Sequence, residues 1–390
     1  MASRPEKAAG LRPWGQLRAG HPGREQHPDS RLLEEAATAL AWWADQRPPR
    51  PTSTLSGGGA VAAVEELLSD QLGGRAVLAL PNATFALLVA LRCSGVGPGD
   101  EVIVPAVDWP AARAAAATLG ARALAAPVVG DDLTVDPEDV LGLVTPATRA
   151  VVACHPHGLM ADVAGLRGAL AERVALVEDC AQALGASRSG RLAGSTGDYS
   201  VFSLGPGKAA SAGELGLLVS ATSELHRRAV GSSQHPLRQL LAGIAHPAAD
   251  TLAGRPAPLA AILGAYKLSR WKSDAAALRD AEQTLRCALA RHPAGCLARR
   301  LGHADQQPQP GRVPVLMSPG AVPGQLERAL RAELPGRFRP RVAPSGLCVD
   351  PAVPDARRRV LAKLLAGVRV VTVETGDGGH PGDEPPRSLS

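Results

Sequence analysis

Lysine is nearly missing from this chain: its 42 basic residues comprise five lysines and thirty-seven arginines. Between Lys7 and Lys267 a single lysine stands, Lys208. Aromatic side chains make up only 3% of the sequence and do not interleave with basic clusters, so no nucleic-acid-binding surface is indicated. The six cysteines (Cys93, Cys154, Cys180, Cys287, Cys296, Cys348) form no C-x-x-C pair and no metal-ligand spacing. Reduced core thiols fit that pattern better than a disulfide framework or a zinc site. No apolar run is long enough to cross a bilayer, and the N-terminal stretch has no continuous apolar segment of the kind a secretion signal carries. The expectation is a cytoplasmic protein with no membrane partner, no nucleic-acid partner and no metal.

What is present is ample. The 390 residues, 45% hydrophobic and 20% charged, suffice for a large core and a second lobe. Short apolar runs such as Ala76–Leu80, Glu101–Val104, Arg149–Cys154 and Val174–Val177 alternate with helix-patterned stretches such as Ala83–Cys93, Pro110–Leu119 and Ala161–Glu172. Two further strands are expected at Tyr199–Leu204 and Leu215–Ser220. Strands that are apolar throughout and alternate with helices imply an α/β fold, a mostly parallel central sheet with helices on both faces. Ligands of such sheets bind beyond the carboxyl ends of the strands. The alternation weakens after about residue 245, where helices over 257–292 precede short strands near Val313–Met317 and Val368–Val373. The expected organisation is an N-terminal arm and linker (1–57), a large domain (58–245), a smaller C-terminal α+β domain (246–375) and a disordered tail (376–390).

Lys208 lies in the glycine-rich stretch Phe202-Ser203-Leu204-Gly205-Pro206-Gly207-Lys208-Ala209. A lysine amine, unlike a guanidinium, can lose its proton and attack a carbonyl. The ordinary alternative is a lysine at the surface of a loop. Three strand ends carry polar groups able to converge on it. Strand Val174–Val177 runs into Glu178-Asp179-Cys180-Ala181-Gln182, and a carboxylate at a buried strand end needs a cationic partner such as a protonated ring nitrogen. Asp179 could equally cap a following helix. Strand Ala76–Leu80 runs into Pro81-Asn82-Ala83-Thr84 at a helix start, which offers amides and a hydroxyl to a phosphate or is simply an N-cap. Strand Glu101–Val104 runs into Pro105-Ala106-Val107-Asp108-Trp109, where the indole could stack on a ring or pack in the core.

Other glycine-rich readings fail. Gly205-Pro206-Gly207-Lys208-Ala209 lacks the Ser or Thr that follows a phosphate-loop lysine, and Gly95-Val96-Gly97-Pro98-Gly99 precedes a strand where a dinucleotide fingerprint follows one. His155 and His157 have no third ligand at metal spacing.

The ordered set Asn82-Ala83-Thr84-Phe85-Ala86-Leu87, Gly97-Pro98-Gly99-Asp100-Glu101-Val102-Ile103-Val104-Pro105, Trp109, Glu178-Asp179-Cys180-Ala181-Gln182 and Phe202-Ser203 to Lys208 resembles the DegT/DnrJ/StrS family of sugar and cyclitol aminotransferases. The resemblance is collinear over about residues 58–232. It implies the pyridoxal-phosphate fold type I, seen in aspartate aminotransferase, and pyridoxal 5'-phosphate as cofactor. Lys208 would hold that cofactor covalently and be the catalytic residue. Asp179 would pair with the pyridine nitrogen, and Gln182 would lie near the ring oxygen. The Ala83 backbone, Thr84 and Ser203 would bind the phosphate, and Trp109 would stack on the ring. The resemblance further implies a homodimer, glutamate or glutamine as amino donor, and a keto-sugar or keto-cyclitol as acceptor, in natural-product or glycan biosynthesis.

The chain departs from the family pattern at named positions. Ser-Gly-Thr is usual where Asn82-Ala83-Thr84 stands, and a small residue is usual at Leu215. Ala253 stands two residues before Arg255, where family members carry an Asn that reaches the neighbouring subunit's phosphate. These departures motivate a second reading, a catalytically degenerate protein acting as partner or regulatory subunit. A third, the sugar dehydratase branch, is disfavoured because that branch replaces the lysine with histidine.

Overall fold

The computed structural model describes residues 28–128 and 133–291 and, beyond them, residues 298–300, 306–307, 309, 312–317, 328, 341–344, 348–349 and 370–374. The expected tail at 376–390 and residues 1–27 of the expected N-terminal arm lie outside the described residues.

In chain order the strands to residue 220 are β1 (Ala76–Leu80), β2 (Glu101–Pro105), β3 (Val107–Asp108), β4 (Arg122–Ala126), β5 (Thr148–Cys154), β6 (Ala175–Asp179), β7 (Ser187–Arg188), β8 (Arg191–Leu192), β9 (Tyr199–Ser203) and β10 (Gly216–Ser220). Seven of them form one sheet in the order β1-β10-β9-β6-β5-β2-β4. The pairs from β9 to β4 are parallel, and only β10 runs against both of its neighbours. The helices are α1 (Pro28–Ala44), α2 (Ala60–Gln71), α3 (Ala83–Cys93), α4 (Ala111–Thr118), α5 (Pro137–Leu141), α6 (Val163–Ala169), α7 (Ser223–Ser233), α8 (Pro236–Leu241) and α9 (Pro258–Arg291). The expected α/β architecture is the observed one.

The period-two alternation of strand side chains sorts the core into two faces. Leu78, Leu80, Val102, Val104, Val152 and Val177 join one hydrophobic cluster with α3 and α4. Their neighbours Val77, Ala79, Leu217 and Val219 join another with α1, α2 and α9. Further along the sheet, Ile103, Val151 and Leu176 pack against Val140 of α5 and Leu166 of α6. Helices thus cover both faces, which is why these strands need apolar residues at every position.

Local chemistry sets the boundaries. The Asn82 side chain accepts the Phe85 N–H at 2.9 Å and starts α3. Asp162 accepts the Gly165 N–H at 2.9 Å and starts α6. That cap places the helix start after Ala161, where hydrophobic spacing alone suggested a longer element. The β7–β8 hairpin was not expected from the sequence: Ser189 and Gly190 both have positive φ, 48° and 78°, as a tight two-residue hairpin turn requires.

The helices expected over 257–292 form the continuous α9. It packs on α1 and α2. Trp42 of α1 meets Tyr266 of α9 edge-on at 5.7 Å between ring centroids, and Lys267 bonds Glu35 at 2.8 Å. The remaining strands are β11 (Ala298–Arg300), β12 (Gln306–Gln307), β13 (Arg312–Met317), β14 (Arg341–Pro344), β15 (Cys348–Val349) and β16 (Val370–Glu374). A second, antiparallel sheet has the order β11-β13-β16-β14. β15 pairs with β3, so a late segment of the chain braces the loop that carries Asp108 and Trp109.

Candidate active site

Strand parity decides which side chains meet. Val152, Val177 and Val201 face the α3 side of the sheet, so two residues further on Cys154, Asp179 and Ser203 face that side too. All three stand at the carboxyl ends of adjacent strands, and Cys154 lies opposite Asp179 in the ladder. Together with the N-terminus of α3 they bound a cavity of about 640 Å³. That volume suits a cofactor with a small substrate.

Ala83, Thr84, Trp109, Asp179, Gln182, Ser203 and Lys208 all line this one cavity. Lys208 is carried by a tight turn in which its N–H donates to the Gly205 carbonyl at 3.2 Å. Pro206 fixes the first central position, and Gly207 takes the second with φ of 71°. The turn presents the lysine beside Asp179 and Asp108, and its positive charge acts on both carboxyls. The first-turn amides of Ala83 and Thr84 have no intrahelical acceptor, by the geometry of a helix start. Gly216 lets β10 approach that start: a Cβ on it would lie 2.3 Å from the Asn82 carbonyl carbon and oxygen. Trp109 is 47% exposed at the cavity rim, so it is not a core residue.

Asp179 is followed by turns and no helix, which removes the helix-cap reading of its carboxylate. Its Oδ1 accepts the Ala181 N–H at 3.0 Å. Burial raises this carboxyl above the usual range, opposed by the Ala181 N–H and by the charge of Lys208. Gln182 is tied down through its Oε1, which accepts the His157 N–H at 3.3 Å.

Beneath the cavity a buried pair fixes the strand that carries Asp179. His155 Nδ1 accepts the Ala161 N–H at 3.2 Å, which leaves Nε2 to donate to Glu178 at 3.1 Å. Glu178 also accepts the N–H groups of Gly194, Thr196 and Gly197. Burial opposes the charge on Glu178, but these donors outweigh it and hold the carboxyl below its usual range. Glu178, His155 and Cys180 lie within 4.8 Å of one another, yet both histidine nitrogens are already engaged, so hydrogen bonding accounts for this cluster.

Three lining residues, Asp108, Cys154 and Glu214, were not singled out from the sequence. Asp108 carries the same signal as Asp179, a carboxylate at the end of an apolar strand. Burial and the nearby Asp179 charge push Asp108 up to about 7. Burial, with the Asp108 and Asp179 carboxylates, keeps the Cys154 thiol protonated.

A family model described as the DegT/DnrJ/EryC1/StrS aminotransferase family matches residues 50–309. The chain belongs to that family. L-glutamine:2-deoxy-scyllo-inosose aminotransferase of Streptoalloteichus tenebrarius is 40% identical over 149 residues, 38% of this chain and 35% of that protein. UDP-N-acetyl-3-dehydro-alpha-D-glucosamine 3-aminotransferase of Acidithiobacillus ferrooxidans is 39% identical over 157 residues, 40% of this chain and 42% of that protein. The matched stretch therefore spans less than half the length of either relative. Likeness of fold extends further. The crystal structure of 3-amino-5-hydroxybenzoic acid synthase superposes with a TM-score of 0.65 at 25% identity, over 91% of this chain and 92% of that one. The aminotransferase TlmJ of Streptoalloteichus hindustanus gives 0.65 at 22% identity, over 87% and 90%. Among the described residues no helix is long and apolar enough to cross a membrane.

Proposed function

We propose that the chain is a pyridoxal-phosphate-dependent aminotransferase that moves an amino group from glutamate or glutamine to a keto-sugar or keto-cyclitol. The observation that carries this reading is the convergence of Lys208, Asp179 and the α3 N-terminus on one cavity. The donor set fits the cofactor: helix amides with the hydroxyls of Thr84 and Ser203 suit a phosphate, a buried carboxylate suits a ring nitrogen, and a lysine suits an aldehyde. The substrate class rests on the names of the relatives, a glutamine-dependent cyclitol aminotransferase and a nucleotide-sugar aminotransferase.

When bound, the cofactor supplies an electron sink for a carbanion at the donor Cα. The chain's own residues supply the rest. Ala83, Thr84 and Ser203 would hold the phosphate, and Trp109 would cover one face of the ring. Asp179 would keep the ring nitrogen protonated, and Gln182 would lie on the side of the ring oxygen. Lys208 anchors the cofactor between turnovers, then serves as the base and acid that moves the proton at the donor Cα.

The protein acts as a homodimer in this reading. Leu237, Leu240 and Leu241 on α8 are 44%, 55% and 71% exposed, an apolar patch suited to a second copy.

The test begins with colour. Purified or reconstituted protein should be yellow, borohydride should fix the cofactor to Lys208, and a screen of amino donors should bleach the colour with glutamate or glutamine. A colourless chain that cannot be reconstituted, and that forms a stable complex with a second aminotransferase-like chain, would support the partner-subunit reading instead.

A further inference from the structure

Asp108 stands apart from the residues assigned above because the reaction has no evident use for it. It ends β3, lines the cavity, and presents a buried Oδ2 that has no hydrogen-bond partner. Its other contacts are supplied by the Trp109 N–H and the Cys154 thiol, both donating to it. A second carboxylate is close by: polar atoms of Asp108, Cys154 and Asp179 lie within 4.8 Å of one another. Two buried carboxylates at that separation repel strongly, so one of them keeps its proton.

The surroundings say which one. Asp179 accepts the Ala181 N–H and lies in the field of Lys208. The Asp179 charge in turn bears on Asp108 and outranks the opposing field of Lys208 there. The two thiols beside the pair, Cys154 and Cys180, stay protonated and add no charge. A proton on Asp108 Oδ2 also converts an orphaned acceptor into a donor, which removes the cost of leaving that buried atom unmade.

We propose that Asp108 is a positioning residue for Asp179: as a neutral acid it donates its Oδ2 proton to the Asp179 carboxylate and holds that carboxylate singly ionised and aimed into the cavity. The pair carries one negative charge, matched to one cationic ring nitrogen. This last step rests on the reading of the cavity as a cofactor site, whereas the shared proton does not.

The experiment separates the two. Aspartate carboxyl carbons are labelled with carbon-13 in the full-length chain free of cofactor, and their resonances are followed from about pH 4 to about pH 9. One carboxyl should titrate near 7. It should vanish in Asp108→Asn and move toward the ordinary aspartate range in Asp179→Asn, where the neighbouring charge is gone. A titration of Asp108 in the ordinary range, or one indifferent to Asp179→Asn, overturns the proposal.

The second arm is pyridoxal 5'-phosphate binding, followed by absorbance. Asp108→Asn still offers an N–H donor and should bind within about twofold of the parent, whereas Asp108→Leu offers none and should bind at least about tenfold more weakly. Equal binding by the two variants counts against the positioning role. If the shared proton is seen but no variant, nor the parent, binds the cofactor, the pair stands and the cofactor reading of the cavity falls.

Discussion

Leu215 packs directly onto Gly264 of α9: a Cβ on that glycine would lie 2.7 Å from Leu215 Cδ2 and 3.2 Å from Val64 Cγ2. The family ordinarily has a small residue at the position of Leu215, and here that side chain is fully buried. The bulk beside the strand is matched by an absence of bulk on the helix. The departure at Leu215 is therefore accommodated within the core and is not by itself a mark of lost function.

The pair predicts coupled stability. Gly264→Ala alone should destabilise by about 1–3 kcal/mol, because overpacking outweighs the gain in helix propensity of about 1 kcal/mol. Leu215→Ala alone should cost about 2–5 kcal/mol through the cavity it leaves. The double variant should be more stable than the sum of the two losses allows. Urea unfolding of the four proteins measures the coupling, and strict additivity would show that the two sites do not share a packing constraint.

Ala253 has φ of 48°, in the left-handed region that asparagine tolerates better than alanine. Ala253→Asn should therefore leave the fold intact and raise its stability by a few tenths of a kcal/mol to about 1 kcal/mol. If the homodimer reading holds, the same substitution should slow cofactor loss, because the new amide can reach the neighbouring subunit's phosphate. Dialysis against cofactor-free buffer, with retained absorbance as the readout, checks this. Unchanged retention in a dimer, or a monomer by sedimentation, would count against that contact.

Lys208 and Asp179 should fail in different ways. Lys208→Ala should still bind pyridoxal 5'-phosphate through the helix amides and Trp109, but borohydride should no longer fix it and turnover should vanish. Asp179→Asn should remain yellow while its rate drops about a hundredfold or more, equivalent to roughly 3 kcal/mol of transition-state stabilisation. Near-normal transamination in Asp179→Asn would remove this carboxylate from the mechanism.

Asp108 gives the cofactor-free protein a pH signature. Its carboxyl is raised in the fold to about 7 from an ordinary value of 3.8, so the folded state holds the proton more tightly than the unfolded chain. Stability from this group is fully present below the unfolded value and is lost as the pH rises toward 7. Asp108→Asn cannot lose that proton. Relative to the parent it should gain up to about 4 kcal/mol between acid pH and pH 8, because each tenfold difference in proton affinity between the folded and unfolded states is worth about 1.4 kcal/mol. Thermal unfolding of both proteins across that range decides it, and a constant difference between them would refute the assignment.

What the sequence determined by itself was everything carried by local pattern. Apolar runs with turn residues between them were enough to locate the strands of the central sheet, because a strand covered on both faces needs an apolar residue at nearly every position. The order of the motifs along the chain was enough to nominate seven residues that the fold brings to one cavity. Boundaries shifted where a single side chain intervened, as at Asp162, whose cap starts α6 two residues later than the hydrophobic spacing suggested. The Ser189-Gly190 hairpin is not legible in the sequence, because two residues in left-handed backbone leave little hydrophobic pattern. Tertiary structure alone decided the rest. That Asp108 faces Asp179 depends on the parallel pairing of β5 with β6 and on the bracing of β3 by β15, contacts between segments far apart in the chain. That Leu215 is tolerated depends on Gly264, forty-nine residues away in sequence and in van der Waals reach only after α9 has packed on the sheet. Charge sharing and packing compensation are properties of distances in space, and no periodicity along a chain encodes them.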